Sequence, residues 1–238
     1  MIESDSDLVL EWYLDLEIRL TDLLAVVPYS SNTDETFLPS VSSIVLEGAS
    51  LLDTVLRSEY AGSKKRKKLT FPDYAEHYDP IFQCRARHTV LFVHPARYVS
   101  PFAGWVDSNG NYLPLEWWAN YNKLKHDRIK HYSLSTLGTV INVVAALHQT
   151  IALLPCFTTC LFRRNMINCG TFNPAYVIDI INGNSRGHSV AGVVCAFESK
   201  LFCSSSSIEL FPDDIARIQP WRYNPESQLF RHLSYIER

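Results

Sequence analysis

Apolar residues recur at helical spacing near the start of the chain: Leu8, Trp12, Leu16, Leu20 and Leu23 or Leu24, with Glu11, Asp15, Arg19 and Asp22 on another face. This spacing predicts an amphipathic helix over about 5–27 that turns the apolar stripe inward. A loop rich in proline, serine, asparagine and aspartate follows, "PYSSNTDETFLPS". A second helix is predicted from Val41, carrying Val41, Ile44, Val45, Gly48, Leu52 and Val55 inward and ending near "YAGS". Pro114 suits a first helical position and Glu116 suits the helix dipole, so a third helix is expected from there to at least Arg128. Ser133 or Ser135 can cap a fourth, from Leu137 to about Leu154, where Pro155 ends or kinks it.

Between these helices the period changes. "DYAEHYDPIF" suits a short helix, "RHTVLFVH" is a β-branched and aromatic run, and "VDSNGNY" holds an Asn-Gly turn signal. Arg87 and His94 fall in that run, and strand alternation gives them no reason to converge on one atom. After Asn173, "AYVIDIINGNSRGHSVAGVVCAFESKLF" sets two apolar runs around a turn-forming stretch, with "NGNSRGH" as the turn. The fold class expected is mainly α. A helical bundle spans 1–165 with a small β-containing insertion at about 70–113, and residues 166–238 form a β hairpin or small sheet packed on it. No internal repeat is apparent.

Length and composition narrow the picture. A chain of 238 residues can bury a core without metal or disulfide staples. Its formal net charge of -3 argues against bulk attraction to nucleic acid, so any such contact must use a local patch. The best candidate is "SKKRKK", where Lys64, Lys65, Arg66, Lys67 and Lys68 repel one another and call for an exposed loop. The six cysteines are scattered and match no zinc pattern, and the opening "MIESDSDLVLEW" lacks the features of a secretory signal, so a reduced, cytoplasmic protein is expected. Cys156 and Cys160 read as buried thiols. The uncharged stretch from Leu137 to Phe162 is long enough to cross a membrane. Asn142, His148, Gln149 and Pro155 make a buried core helix the better reading.

Chemistry concentrates in "WWANYNKLKHDRIKHY", which begins at Trp117. On a continuous helix Asn122, His126 and Ile129 share one stripe, and Tyr121, Lys125, Arg128 and Tyr132 share the next. His126, among Lys123, Lys125 and Arg128, is a candidate proton acceptor. Trp118 and Tyr121 offer stacking faces, while Lys123, Lys125 and His131 offer phosphate contacts. Alternatively, Asn122 and His126 bond Glu47 or Asp53 while Trp117, Trp118 and Tyr121 fill core volume.

Two amphipathic helices, then "YNKLKH", then a long apolar helix beginning "STLGTVINVVAALHQ" resemble the HEPN superfamily, prokaryotic helical domains of toxins, defence systems and nucleotide-binding modules. The resemblance covers roughly residues 5–155 without the insertion. Nuclease members carry an arginine, a polar residue that is often asparagine, three further residues and a histidine. The polar position falls on Asn122 and the histidine on His126, but Tyr121 stands at the arginine position. The resemblance implies that the histidine moves a proton at the ribose 2′-hydroxyl and the arginine stabilises phosphate charge, without metal or cofactor, usually across a dimer interface. Losing the cation should cost several powers of ten in rate unless Arg128 or Lys125 replaces it. The function expected is therefore a non-catalytic or weakly active, homodimeric module that contacts RNA, a nucleotide or a protein partner in stress or defence. The alternative is a metal-independent endoribonuclease toxin using His126, Asn122 and Arg128.

Overall fold

The computed structural model describes residues 3–30, 32–60, 69–168, 193–210 and 217–218. Helix α1 (Glu3–Val26) and helix α2 (Val41–Glu59) form where the apolar period predicts them. The inward positions expected of α2 are all buried, and Gly48 lets α2 approach its neighbour closely. A Cβ on Gly48 would lie 2.9 Å from Val143 Cγ1. On α1 the expected stripe is rotated. Leu8 and Trp12 are 49% and 53% exposed, whereas Val9, Leu10, Tyr13, Leu16, Glu17 and Leu20 face inward. The interior supplies partners for the Tyr13 hydroxyl and the Glu17 carboxylate, so two polar-tipped residues displace an aromatic one.

Helix α3 (Phe71–Phe82) lies in the expected insertion. Its start is set by a reciprocal capping box between Thr70 and Asp73, with Pro72 in the first turn. It ends at Gln83, whose backbone turns left-handed (φ 52°) and whose N–H donates to the Asp79 carbonyl. Strands β1 (Thr89–Leu91) and β2 (Arg97–Val99) follow as an antiparallel pair. The Asn109-Gly110 turn closes a bridge between Val106 and Tyr112, with Gly110 at φ 83°. The Asp107 carboxylate accepts from the Asn109 and Asn111 amides at 2.8 Å, which holds that turn.

Helix α4 (Glu116–His126) differs from expectation at both ends. Leu115 is its N-cap, so Pro114 stands before the helix, and Asp127 (φ -153°) terminates it before Arg128. Helix α5 (Leu137–Leu153) is capped by Thr136, whose Oγ1 accepts from the Thr139 N–H at 3.2 Å, and not by Ser133 or Ser135. A short helix α6 (Thr158–Arg163) follows Pro155 and is tied to α1 by ion pairs from Arg163 and Arg164 to Asp7. Every residue of α5 except Gly138 and Asn142 is buried. No single described helix is long and apolar enough to cross a membrane, and the pair Leu137–Leu153 and Pro155–Arg163 is bent by 81°.

The remaining strands are β3 (Ile167–Asn168), β4 (Val193–Glu198), β5 (Phe202–Leu210) and β6 (Arg217–Ile218). They join the insertion strands in one antiparallel sheet of order β2-β1-β5-β4-β3, with β6 also paired to β5. Insertion and C-terminal extension thus build one sheet, joined where Thr89, Val90 and Leu91 pair with Ser204, Cys203 and Phe202. Helix α5 packs against α1, α2 and α4, and also against β1, β2 and β5. It is buried all round because it is the shared core of both layers. The described hairpin turns at Ser199–Leu201; "NGNSRGH" lies outside the described residues.

Candidate functional site

Helix α4 carries its polar and aromatic residues to the mouth of a cavity of about 400 Å³. Trp118, Tyr121, Asn122 and Lys125 line it from α4. Leu69, Thr70, Phe71 and Pro72 contribute the start of α3, Tyr112 and Pro114 the approach to α4, and Asp53 the face of α2. Its size falls within the roughly 300–1,000 Å³ usual for small-molecule sites.

The walls are aromatic and held by one another. Trp118 stacks on Phe71, with ring centroids 4.0 Å apart and planes 19° from parallel. Tyr121 tilts against Trp118 at 4.9 Å, and Phe71 meets Tyr112 edge-on at 6.3 Å. Trp117, one residue earlier, belongs to the core and donates its indole N–H to the Pro101 carbonyl at 2.7 Å. Tyr121 is also core, only 2% exposed, yet its ring supports the Lys125 ammonium 5.4 Å from the centroid. That cation–π contact places a positive charge at the rim. Asn122 donates from Nδ2 to the Trp118 carbonyl at 3.0 Å, one turn back.

On the α2 side the Asp53 carboxylate accepts from Arg57 Nη2 at 2.6 Å and from the Tyr74 hydroxyl at 3.0 Å. Burial pushes the Tyr74 and Tyr112 phenols above their ordinary range, so both remain neutral donors at physiological pH. The cavity therefore offers ring surface from the half-buried Trp118 and Tyr112, one cation, one carboxylate and an amide, while the Thr70 hydroxyl is held by Asp73.

Other predicted residues are not brought to this cavity. His126 is the last residue of α4 and exposed, as is Lys123. Arg128 lies exposed beyond the helix end, and His131 precedes a 3-10 turn. Because Asp127 ends the helix, the stripes expected to continue to Ile129 and Tyr132 stop there, and Ile129 is 88% exposed. The carboxylates proposed as partners for Asn122 and His126 are engaged elsewhere: Glu47 pairs with Arg19 at 2.5 Å, and Asp53 with Arg57. Lys64, Lys65, Arg66, Lys67 and Lys68 lie outside the described residues; in sequence Lys68 directly precedes the cavity residue Leu69. Sequence spacing alone does not mark Phe71, Asp53 and Tyr112 as cavity residues. The Thr-Phe-Pro-Asp capping-box pattern at 70–73 is the signal that marks where Phe71 is held.

A second polar cluster is internal apart from Ser199, which is half-buried. His148 of α5 stacks on Phe197 of β4, with centroids 4.1 Å apart, and its Nε2 faces the Phe197 carbonyl at 3.3 Å. The Tyr13 hydroxyl lies 2.8 Å from His148 Nδ1 and 3.0 Å from Glu17 Oε1, and its one hydrogen serves a single partner at a time. Glu17, 2% exposed, also accepts from the Ser199 hydroxyl at 2.5 Å and the Leu201 N–H at 2.9 Å. Burial pulls the imidazole down from 6.5 to about 3 and drives the Tyr13 phenol well up. The cluster fastens the β4–β5 turn to α1 and α5.

Two further surface clefts carry less chemistry. One of about 350 Å³ between α1 and α2 is lined by Trp12, Leu16 and Leu51, with Asp15 and Glu47 both tied to Arg19. Another of about 470 Å³ beside α3 holds Asp79, which is occupied by Trp105 Nε1 and by Arg85. Among the described residues no group of three or more histidine, cysteine or acidic side chains could hold a metal ion. Comparison with protein-family models, curated proteins and solved structures finds no match.

Proposed function

We propose that this is a cytoplasmic, HEPN-like binding module that takes a nucleotide, free or as part of single-stranded RNA, in the cavity between α3 and α4. One observation carries the reading. Four of the residues singled out in sequence, Trp118, Tyr121, Asn122 and Lys125, converge on a cavity whose other walls include Phe71 and Tyr112. Aromatic walls suit a base, and a rim cation suits its phosphate. The run Lys64 to Lys68, joined to the cavity through Leu69, would extend the contact to further phosphates.

The test is calorimetric titration of the purified protein with nucleoside monophosphates and with a single-stranded RNA decamer, repeated on Trp118→Leu and Lys125→Glu. Binding by the wild type that weakens at least tenfold in both variants is the expected result. Unchanged affinity in both variants would move the site elsewhere, and no binding to either probe would refute the reading. Incubation with cellular RNA in EDTA adds a second check. Cleavage that disappears in His126→Ala would replace the binding reading with a metal-independent endoribonuclease.

A further inference from the structure

We infer that the cavity selects guanine and that Asp53 makes the choice; the inference rests on the nucleotide reading of this cavity. Asp53 is a wall residue with a side chain 24% exposed. Its two oxygens accept from different donors, Oδ2 from Arg57 Nη2 at 2.6 Å and Oδ1 from the Tyr74 hydroxyl at 3.0 Å. Each oxygen thereby keeps a lone pair, and the plane of the group is set before any occupant arrives.

A carboxylate offers acceptors only, so what faces Asp53 must present donors, and a phosphate is repelled. The rim ammonium of Lys125 takes the phosphate instead, which turns the base or the sugar toward α2. Among the four bases, guanine alone sets two donors side by side, N1–H and N2–H, at the spacing of two carboxylate oxygens. Adenine and cytosine set an amino group beside a ring acceptor, and uracil flanks its N3–H with carbonyls. Each of those would aim a lone pair at an Asp53 oxygen, an arrangement that costs more than a missing bond.

The experiment is calorimetric titration of the wild-type protein with GMP, IMP, AMP and XMP, followed by Asp53→Asn with GMP and XMP. GMP should bind at least tenfold more tightly than AMP, as expected for a bidentate pair. IMP, which lacks the 2-amino group, should fall about tenfold below GMP. In Asp53→Asn the side chain offers one acceptor and one donor, so the preference should turn from GMP toward XMP, which presents N1–H beside a carbonyl. Equal affinities for GMP and AMP in the wild type would overturn the inference whatever the variant does. If both are then lost in Trp118→Leu, the nucleotide reading stands without base selection. If GMP and AMP bind alike and 2′-deoxy-GMP binds at least tenfold more weakly than both, Asp53 reads the ribose hydroxyls and the guanine assignment is wrong. No binding by any of the four removes both readings.

Discussion

Acid should loosen this protein through one residue, His148. Its imidazole is enclosed by Tyr13 of α1, whose hydroxyl also reaches Glu17, by Phe197 and Phe202 of the sheet and by the Ser199 turn. Burial lowers its folded pKa from 6.5 to about 3, so between those values the unfolded chain takes up a proton that the folded chain refuses. The sign follows from linkage: a depressed pKa contributes stability that is complete above 6.5, declines as the pH falls and stops declining near 3. Each pH unit inside the window costs about 1.36 kcal/mol. Moving from pH 7.5 to pH 5 should therefore remove about 2 kcal/mol, a large share of a stability of ~5–15 kcal/mol. Urea unfolding followed by far-ultraviolet circular dichroism at the two pH values measures the loss. His148→Gln keeps a donor and an acceptor but does not titrate, so its loss should be smaller by about 2 kcal/mol. Equal losses in variant and wild type would refute the assignment, since every other titrating group is common to both.

Three further outcomes are expected. Gly48→Ala should destabilise by about 1–2 kcal/mol despite the better helix propensity of alanine, because the added methyl meets the stiff β-branched Val143; an unchanged or raised thermal midpoint would contradict this. Neutralising Lys64, Lys65, Arg66, Lys67 and Lys68 together should flatten the salt dependence of RNA binding, by about 0.7 in the log–log slope for each cation engaged, and an unchanged slope would dismiss the segment as a contact. Burial pushes Cys84 and Cys203 up to about 12 and Cys160 to about 11, so these thiols should resist iodoacetamide at pH 8 in the native protein and react on unfolding, as peptide mass mapping would reveal.

The parts of the fold legible in the sequence are those written in local periodicity. Helices α1 and α2 follow from apolar spacing because a helix reports its own buried face over a few turns, and α5 follows from an uncharged run that stops at Pro155. The face of α1 is not legible in its own period, because the deciding partners are remote. Tyr13 and Glu17 turn inward because His148, Ser199 and Leu201 await them, between 135 and 186 positions along the chain. The end of α4 was missed because the cationic run after His126 continues the pattern although Asp127 leaves the helical conformation. The same division holds at the cavity. Trp118, Tyr121, Asn122 and Lys125 sit within two turns of one helix and were found together, while Asp53, Phe71 and Tyr112 arrive from separate elements. Nor does any local signal announce that β1 pairs with β5, since both runs read only as strands.

That pairing sets a timetable for synthesis. Thr89 and Ser204, whose hydroxyls meet at 2.8 Å, are 115 positions apart. When Leu153 completes α5, its helical neighbours already exist, but the strand that closes its other flank begins only at Phe202. At ~5–20 residues per second the ribosome needs roughly 2–10 s to reach it. During that interval the most apolar of the described helices is half-clad. Slower translation between Leu153 and Phe202 lengthens the time in which that flank is open to association, so the path to the native state depends on translation as well as on the finished fold.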